Sequence, residues 1–311
     1  MTDATQPESA FCRSLRAGAF VLTAEVVPPT SCDPDDLLKK ALPLRDLADA
    51  VNVTDGAGAR AHMGATPAAA ILLRNGIEPI LQLACRDRNR IALQGELMGA
   101  AALGVRNLLL LRGDDPTAGD QPDAKPVFDL GSRALTETAR AIRDGRLPHG
   151  AKVAGEAPFF IGAADIPIDP PPGWQPDSLK AKIAAGAQFI QTQFCMDTAV
   201  VRRYAARLAE AGLSGRIFLL VGVNPLRSAK SAAWMRRHLF GTIIPETMVA
   251  RLEQAEDAAA EGRKICVETI EELSRIPGVA GVHIMAPGNV AAIPEVIASA
   301  RRSVTMAAKA G

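Results

Sequence analysis

Eight short apolar runs, each followed by a longer Ala-rich amphipathic stretch, predict an α/β chain closed into one single-domain (β/α)8 TIM barrel. Three observations carry that reading. The runs recur over almost the whole of the 311 residues, and barrels of ~250 residues are commonly one unit. No linker is long enough to mark a second domain. Two Pro/Gly-rich stretches, Gly113 to Pro126 and Ile166 to Pro176, closely follow strand candidates. In a barrel they project over the C-terminal face, where such loops build the active site.

The first predicted strand, Phe20 to Val26, is apolar up to Glu25 and is stopped by Pro28-Pro29. The second, Ala50 to Thr54, runs into Asp55-Gly56-Ala57-Gly58, a glycine-rich turn with exposed amides. Glu78 to Ala84 is the third, and Asn107 to Leu111, ending at Arg112-Gly113-Asp114, the fourth. Lys152 to Gly162, Phe189 to Gln193, Arg216 to Val221 and Val279 to Met285 complete the set. The clearest helical patterns are Asp197 to Ala211 and Val249 to Arg275, with Leu, Ala and Val on one face and Arg, Glu and Asp on the other. An extra helix near Ser228 to Phe240 interrupts the seventh unit. The expected organisation is an N-terminal extension, partly disordered, over residues 1–19, a barrel over 20–305 and a tail over 306–311.

With 35 Lys plus Arg against 34 Asp plus Glu, the chain has no broad positive field, which disfavours nucleic acid as main ligand. The longest apolar stretches, such as Leu97 to Val105 and Ile217 to Val223, fall short of the ~20 residues of a membrane span. Residues 1–22 lack the basic start, apolar run and cleavage site of a secretion signal, so a cytoplasmic protein is expected. The cysteines Cys12, Cys32, Cys85, Cys195 and Cys266 are scattered and odd in number, giving neither a disulfide framework nor a CxxC pair. Four histidines without HxH or HExxH spacing disfavour a catalytic zinc, and no metal site is expected. Neither a GxSxG elbow nor a GxxxxGK[ST] loop is present.

In a barrel the polar residues at strand ends converge on one mouth. Here they are Glu25, Thr54-Asp55, Gln82, Arg112-Gly113-Asp114, Gln193 and His283. Glu25, three residues before Pro28-Pro29, is a carboxylate at the end of a buried strand and suits a general acid. By spacing alone, a surface Glu capping the next segment accounts for it better. The Thr54 turn offers amides to a phosphate or a ring, and a plain βα turn has the same pattern. Arg112 can pair with a diphosphate and Asp114 can accept from hydroxyl or amino groups, while a simple Arg-Asp surface pair fits the same residues. Gln193 presents a donor and an acceptor to an amide-like ring edge, or is a buried amide satisfied by backbone. Alternation puts Gln191 and Gln193 on one side of the strand and Thr192 on the other.

Taken together and in this order, Glu25-Val-Val-Pro-Pro, Val53-Thr54-Asp55-Gly56, Leu111-Arg-Gly-Asp114, Leu179-Lys-Ala-Lys182 with Gly186-Ala187, Thr192-Gln193-Phe194 and Gly281-Val-His-Ile-Met-Ala-Pro-Gly288 resemble the methylenetetrahydrofolate reductase family over roughly Phe20 to Ala300. Cys85-Arg-Asp-Arg-Asn-Arg90, Gly119-Asp120 and Val127-Phe128-Asp129 look most like the reductase half of bifunctional enzymes that also carry a homocysteine S-methyltransferase domain, which is absent here. The resemblance implies a barrel holding FAD, through which hydride passes from NAD(P)H or a protein donor to methylenetetrahydrofolate, in a homo-oligomer. By match, Glu25 is the general acid, Asp114 the carboxylate near both flavin and pterin, and Gln193 the pterin-binding amide. Thr54, Gln82, Arg112, Gly113, Gly162, Ala163 and Lys182, with Asp114, fall at flavin-side positions. Gln82 stands where many members have His, and Phe159 to Ala164 replaces the Tyr- and His-containing strand-five segment of the best-known bacterial type. A folate- or corrinoid-dependent methyltransferase, which binds pterins with similar residues, and a flavin-free docking subunit are the alternatives.

Overall fold

In the computed structural model, which describes residues 8–310, eight parallel strands pair in chain order and close into one barrel. They are β1 Val21–Val26, β2 Ala50–Val53, β3 Pro79–Ala84, β4 Asn107–Leu111, β5 Phe160–Asp165, β6 Phe189–Phe194, β7 Phe218–Val223 and β8 Val279–Ile284. Closure comes from β1 against β8, with Leu22 opposite Val282 and Thr23 opposite His283. The helices are α1 Ala10–Arg16, α2 Pro34–Ala41, α3 Ala65–Arg74, α4 Arg90–Ala102, α5 Ser132–Arg143, α6 Asp177–Ala185, α7 Thr198–Glu210, α8 Ala229–His238, α9 Glu246–Gln254, α10 Ala258–Ser274 and α11 Ile293–Ala310. Among the described residues, no helix is long and apolar enough to cross a membrane.

Two elements differ from the sequence expectation for local reasons. The fifth strand lies later than Lys152 to Gly162, because Gly155 takes a φ of +83° and Pro158 has no amide to give a ladder. Only an isolated antiparallel bridge, Arg146 to Lys152, forms there. The pattern from Val249 to Arg275 is two helices, α9 and α10. Ala255 is extended, and the Asp257 carboxylate accepts the amides of Ala259 and Ala260, each at 2.9 Å, as a new N-cap.

Residues 10–16, placed by the sequence reading outside the barrel, form α1 beneath its floor. Residues 1–7 of that extension lie outside the described residues, and α11 runs on into the expected tail. Glu78 fixes the start of α1 by accepting the Ala10 and Phe11 amides, both at 2.9 Å, where a carboxylate complements unsatisfied N–H groups. Phe11, fully buried, meets Phe189 edge-on at 5.3 Å and Phe160 at 5.7 Å. Phe160 and Phe189 stack at 5.0 Å inside the barrel. With Val21, Ile80, Leu109 and Leu220 these rings form an apolar floor, distinct from the larger core between strands and helices. Gly162 makes room for it, since a Cβ there would lie 2.3 Å from the Phe189 ring.

Above the floor the inward positions turn polar: Thr23, Asn52, Gln82, Gln191 and His283 are all buried within the barrel. The next inward places, two residues on, are Glu25, Thr54, Ala84 and Gln193, and they form the mouth.

Candidate active site

The β2 turn is clamped before it can serve as anything else. Asp55, whose side chain is 7% exposed, accepts the Ala84 amide at 2.9 Å and both Arg88 nitrogens at 2.7 and 3.2 Å. Arg86 donates to the Gly56 carbonyl at 3.1 Å while paired with Asp87. Gly56 needs its φ of +62°, and a Cβ there would meet an Arg86 nitrogen at 2.2 Å. The Cys85-to-Arg90 run is thus a brace for the mouth. Arg90 extends it by gripping Asp129 at 2.7 and 2.8 Å, and those hydrogen bonds hold the Asp129 carboxyl far below the usual carboxylate range.

With the turn braced, Thr54 is left with a buried hydroxyl that has no partner among the described residues. Arg112, at the end of β4, is exposed, and its guanidinium lies over the ring of Phe128, 4.1 Å from the centroid. Among the described residues it makes no ion pair, so its charge is available. Gly113 takes a φ of +88°, and a Cβ there would press at 3.1 Å on the Cβ atoms of Ala84 and Arg86. Asp114 is exposed and accepts the Gly58 amide at 3.0 Å.

On the opposite wall, Gln193 is half-buried. Its Nε2 donates to the Phe240 carbonyl at 3.4 Å, and its Oε1 accepts the Phe194 amide at 3.0 Å. Glu25, 19% exposed, lies with Oε2 3.8 Å from Nε2 of His283. Lys182, on α6, donates to the Ala164 carbonyl at 2.7 Å and to Asp165 at 2.8 Å. Tyr204 donates to the other oxygen of Asp165, and burial together with that carboxylate pushes its hydroxyl far up.

The structure therefore brings Glu25, Thr54, Arg112, Gly113, Asp114 and Gln193 to the C-terminal ends of their strands. It places three others differently. Gln82 sits one layer down, 7% exposed inside the barrel. Gly162 is deeper still, against Phe189. Ala163 points outward into the core between barrel and helices, because neighbours on a strand face opposite sides. Ala164, two residues after Gly162 and exposed, is the β5 residue at the rim. Sequence reasoning missed Arg86, Arg88, Thr23, Asn52 and Gln191. The last three carried a usable signal, a polar residue two places before each mouth residue in an otherwise apolar strand.

A closed (β/α)8 barrel with a carboxylate, an amide and, among the described residues, a guanidinium outside any ion pair and an unbonded Thr54 hydroxyl on its C-terminal face is of the class that binds and converts small molecules at that face. Within that class the chain belongs to the methylenetetrahydrofolate reductase family, whose model matches residues 10–301. It is similar to the probable methylenetetrahydrofolate reductase (NADPH) of Caenorhabditis elegans, 27% identical over 258 residues, covering 76% of this chain and 36% of that protein. It is 25% identical over 280 residues to the 5,10-methylenetetrahydrofolate reductase of Pectobacterium carotovorum, covering 86% and 85%. The chain thus spans little more than a third of the nematode relative. Among solved structures, an uncharacterized Clostridium thermocellum protein, described as binding two copies of 5-methyl-5,6,7,8-tetrahydrofolic acid, superposes with a TM-score of 0.59. It is 14% identical and covers 95% of this chain and 99% of its own, a likeness of fold.

Proposed function

We propose that the chain interconverts methylenetetrahydrofolate and methyltetrahydrofolate, with FAD at the mouth and NAD(P)H or an electron-transfer protein as redox partner. The observation that carries this is the meeting of Glu25, Asp114 and Gln193 with the unbonded Thr54 hydroxyl and the Arg112 guanidinium, outside any ion pair among the described residues, on one face of a chain in this family. FAD fits the donor set: the orphaned Thr54 hydroxyl suits a ring or ribityl acceptor, and the unpaired Arg112 guanidinium suits a diphosphate. Gly113 lets the backbone come close, and Lys182, already bound to Asp165, stiffens the β5 rim. When bound, FAD supplies the capacity to take up and return a hydride.

The side chains then have distinct tasks. Glu25 gives a proton to the folate nitrogen that leaves as the five-membered ring opens to an iminium. Asp114 sets a negative charge near the cation that develops. Gln193 exchanges its hold on the Phe240 carbonyl for the pterin's amide-like edge. A homo-oligomer in the cytoplasm is part of the same proposal.

The deciding experiment is anaerobic mixing of the purified protein with methyltetrahydrofolate while the flavin spectrum is recorded. Bleaching is expected. A folded protein that is colourless and takes up no added FAD overturns the proposal. Tight corrinoid binding without flavin would favour a methyltransferase, and loss of NADH or NADPH oxidation with every acceptor a docking subunit.

A further inference from the structure

The helix added to the seventh unit takes no part in the site described above. α8 follows the C-terminal end of β7, and residues 224–245 hold Arg227, Lys230, Arg236 and Arg237 without one Asp or Glu. In a chain whose charges balance at 35 against 34, that is a local excess of one sign. Arg236 is spent on Glu246. Arg227, Lys230 and Arg237 are exposed and enter no ion pair among the described residues. Lys230, Trp234, Arg237 and His238 recur at i, i+4, i+7 and i+8 and share the outer face of α8, while Ala232 and Met235 are buried on the other. Trp234, one of two tryptophans in the chain, is 51% exposed and stacks on His238 with ring centres 4.9 Å apart. Phe240, just past the helix, is 85% exposed.

This face is fixed at the rim of the mouth. The Ile243 amide donates to the Phe194 carbonyl at 2.9 Å, the Ile243 carbonyl accepts the Met196 amide at 2.8 Å, and the Phe240 carbonyl accepts Gln193 Nε2 at 3.4 Å. The ten residues of α8 span about 15 Å, so cations spread along it cannot close on one small anion. A row of carboxylates on a second protein matches them. Exposed aromatic rings between free guanidinium groups suit such a contact, since Trp and Arg carry much of the energy at interfaces. One helix face with its flanks is a small area, and transient electron-transfer encounters, steered by charge, bury less than ~1,200 Å² in total.

We propose that the outer face of α8 is the docking surface for a small acidic electron-carrier protein, which sets its carboxylates against Arg227, Lys230 and Arg237 and covers Trp234 and Phe240. This rests on the reading of the mouth as a redox site and gives the electron-transfer protein of that reading its seat. Each encounter oxidises one carrier by one electron. Two encounters and two protons from water balance one reductive turnover, in which a carbon–nitrogen bond of the methylene bridge breaks while one C–H and one N–H bond form. Methyl oxidation runs the same balance backwards and leaves two carriers reduced.

The test uses the FAD-loaded protein with an acidic two-iron ferredoxin as probe. At low salt the oxidised ferredoxin should bind in a calorimetric titration, and the affinity should fall steeply as salt rises. Lys230→Glu and Arg237→Glu should each lower that affinity, and the rate of flavin reduction by reduced ferredoxin, about tenfold or more. Trp234→Ala should weaken binding without altering its salt dependence. Bleaching by methyltetrahydrofolate should stay unchanged in all three. Lys152→Glu makes the same charge change on the loop before β5, at the opposite end of the barrel, and should alter neither affinity nor rate. If the α8 charge reversals leave binding unaltered, or Lys152→Glu matches them, the inference is overturned. Reversals that weaken NADPH binding and spare the ferredoxin assign the face to a nucleotide phosphate and overturn it too. Should a Glu variant not fold, Lys230→Gln and Arg237→Gln decide. A wild type bleached by methyltetrahydrofolate that does not bind the ferredoxin overturns this inference alone; one inert toward methyltetrahydrofolate overturns the proposed function and the electron-carrier role with it.

Discussion

Asp114 accepts the backbone amide of Gly58 at 3.0 Å, tying the loop after β4 to the turn after β2 across the top of β3. The contact uses one carboxylate oxygen as an acceptor, and an Asn side chain keeps an acceptor in the same place. Asp114→Asn should therefore preserve the loop and the melting temperature while lowering folate turnover, because only the charge is lost. Parallel losses in melting temperature and activity would make Asp114 a fastening of the loop and nothing more.

For Glu25 the informative variant is Glu25→Gln, which keeps volume and removes the proton. FAD binding and flavin reduction by the nucleotide should survive, and the folate half-reaction should slow by a factor of ~100 or more. Stopped-flow measurement of the two half-reactions separates these outcomes. If both fall together, Glu25 shapes the site; if neither changes, the acid is another group.

The floor of the barrel predicts a stability effect far from the mouth. Phe11→Ala empties a fully buried site between Phe160 and Phe189 and should cost about 3–5 kcal/mol. Gly162→Ala overfills the same region and should cost about 1–3 kcal/mol. Urea unfolding curves check both, and a Phe11→Ala change below about 1 kcal/mol would mean that α1 is only loosely seated.

Thiol chemistry tests burial directly. All five cysteines are free, and Cys32 is exposed. Burial pushes the thiols of Cys12 and Cys85 up to about 11 and that of Cys195 up to about 12; Cys266 is driven in the same direction by burial alone. At pH 8 those groups remain protonated and are poor nucleophiles. A disulfide reagent should modify one thiol quickly in the native protein and five after denaturation. Cys32→Ser should abolish the fast phase.

The barrel was legible because strands buried on both faces read as apolar runs at a steady spacing, and β1, β4 and β6 fall within a residue or so of expectation. What failed depended on tertiary partners. The seven residues of α1 are too short to announce a helix by periodicity, and Glu78, which fixes their start, lies far along the chain. At β5, the apolar character of Lys152 to Phe159 outweighed Gly155 and Pro158, while Ala163, named by match to the family, lies on the outer face of the strand. Strand-end logic did place Glu25, Thr54, Arg112, Asp114 and Gln193 at the C-terminal mouth. It could not tell that Asp55 is consumed by Arg88 while Thr54 beside it is left without a partner.

The rings of Phe11, Phe160 and Phe189 plug one end of the barrel, so a reactant can meet only the end that carries Glu25 and Gln193. Whatever enters at Glu25 and Gln193 must leave past the same residues. Two reactants that need the same wall cannot queue at opposite ends, so the departing product of one turn obstructs the arrival of the next reactant. If the proposed folate and redox partner take turns at that mouth, an excess of either should slow the other.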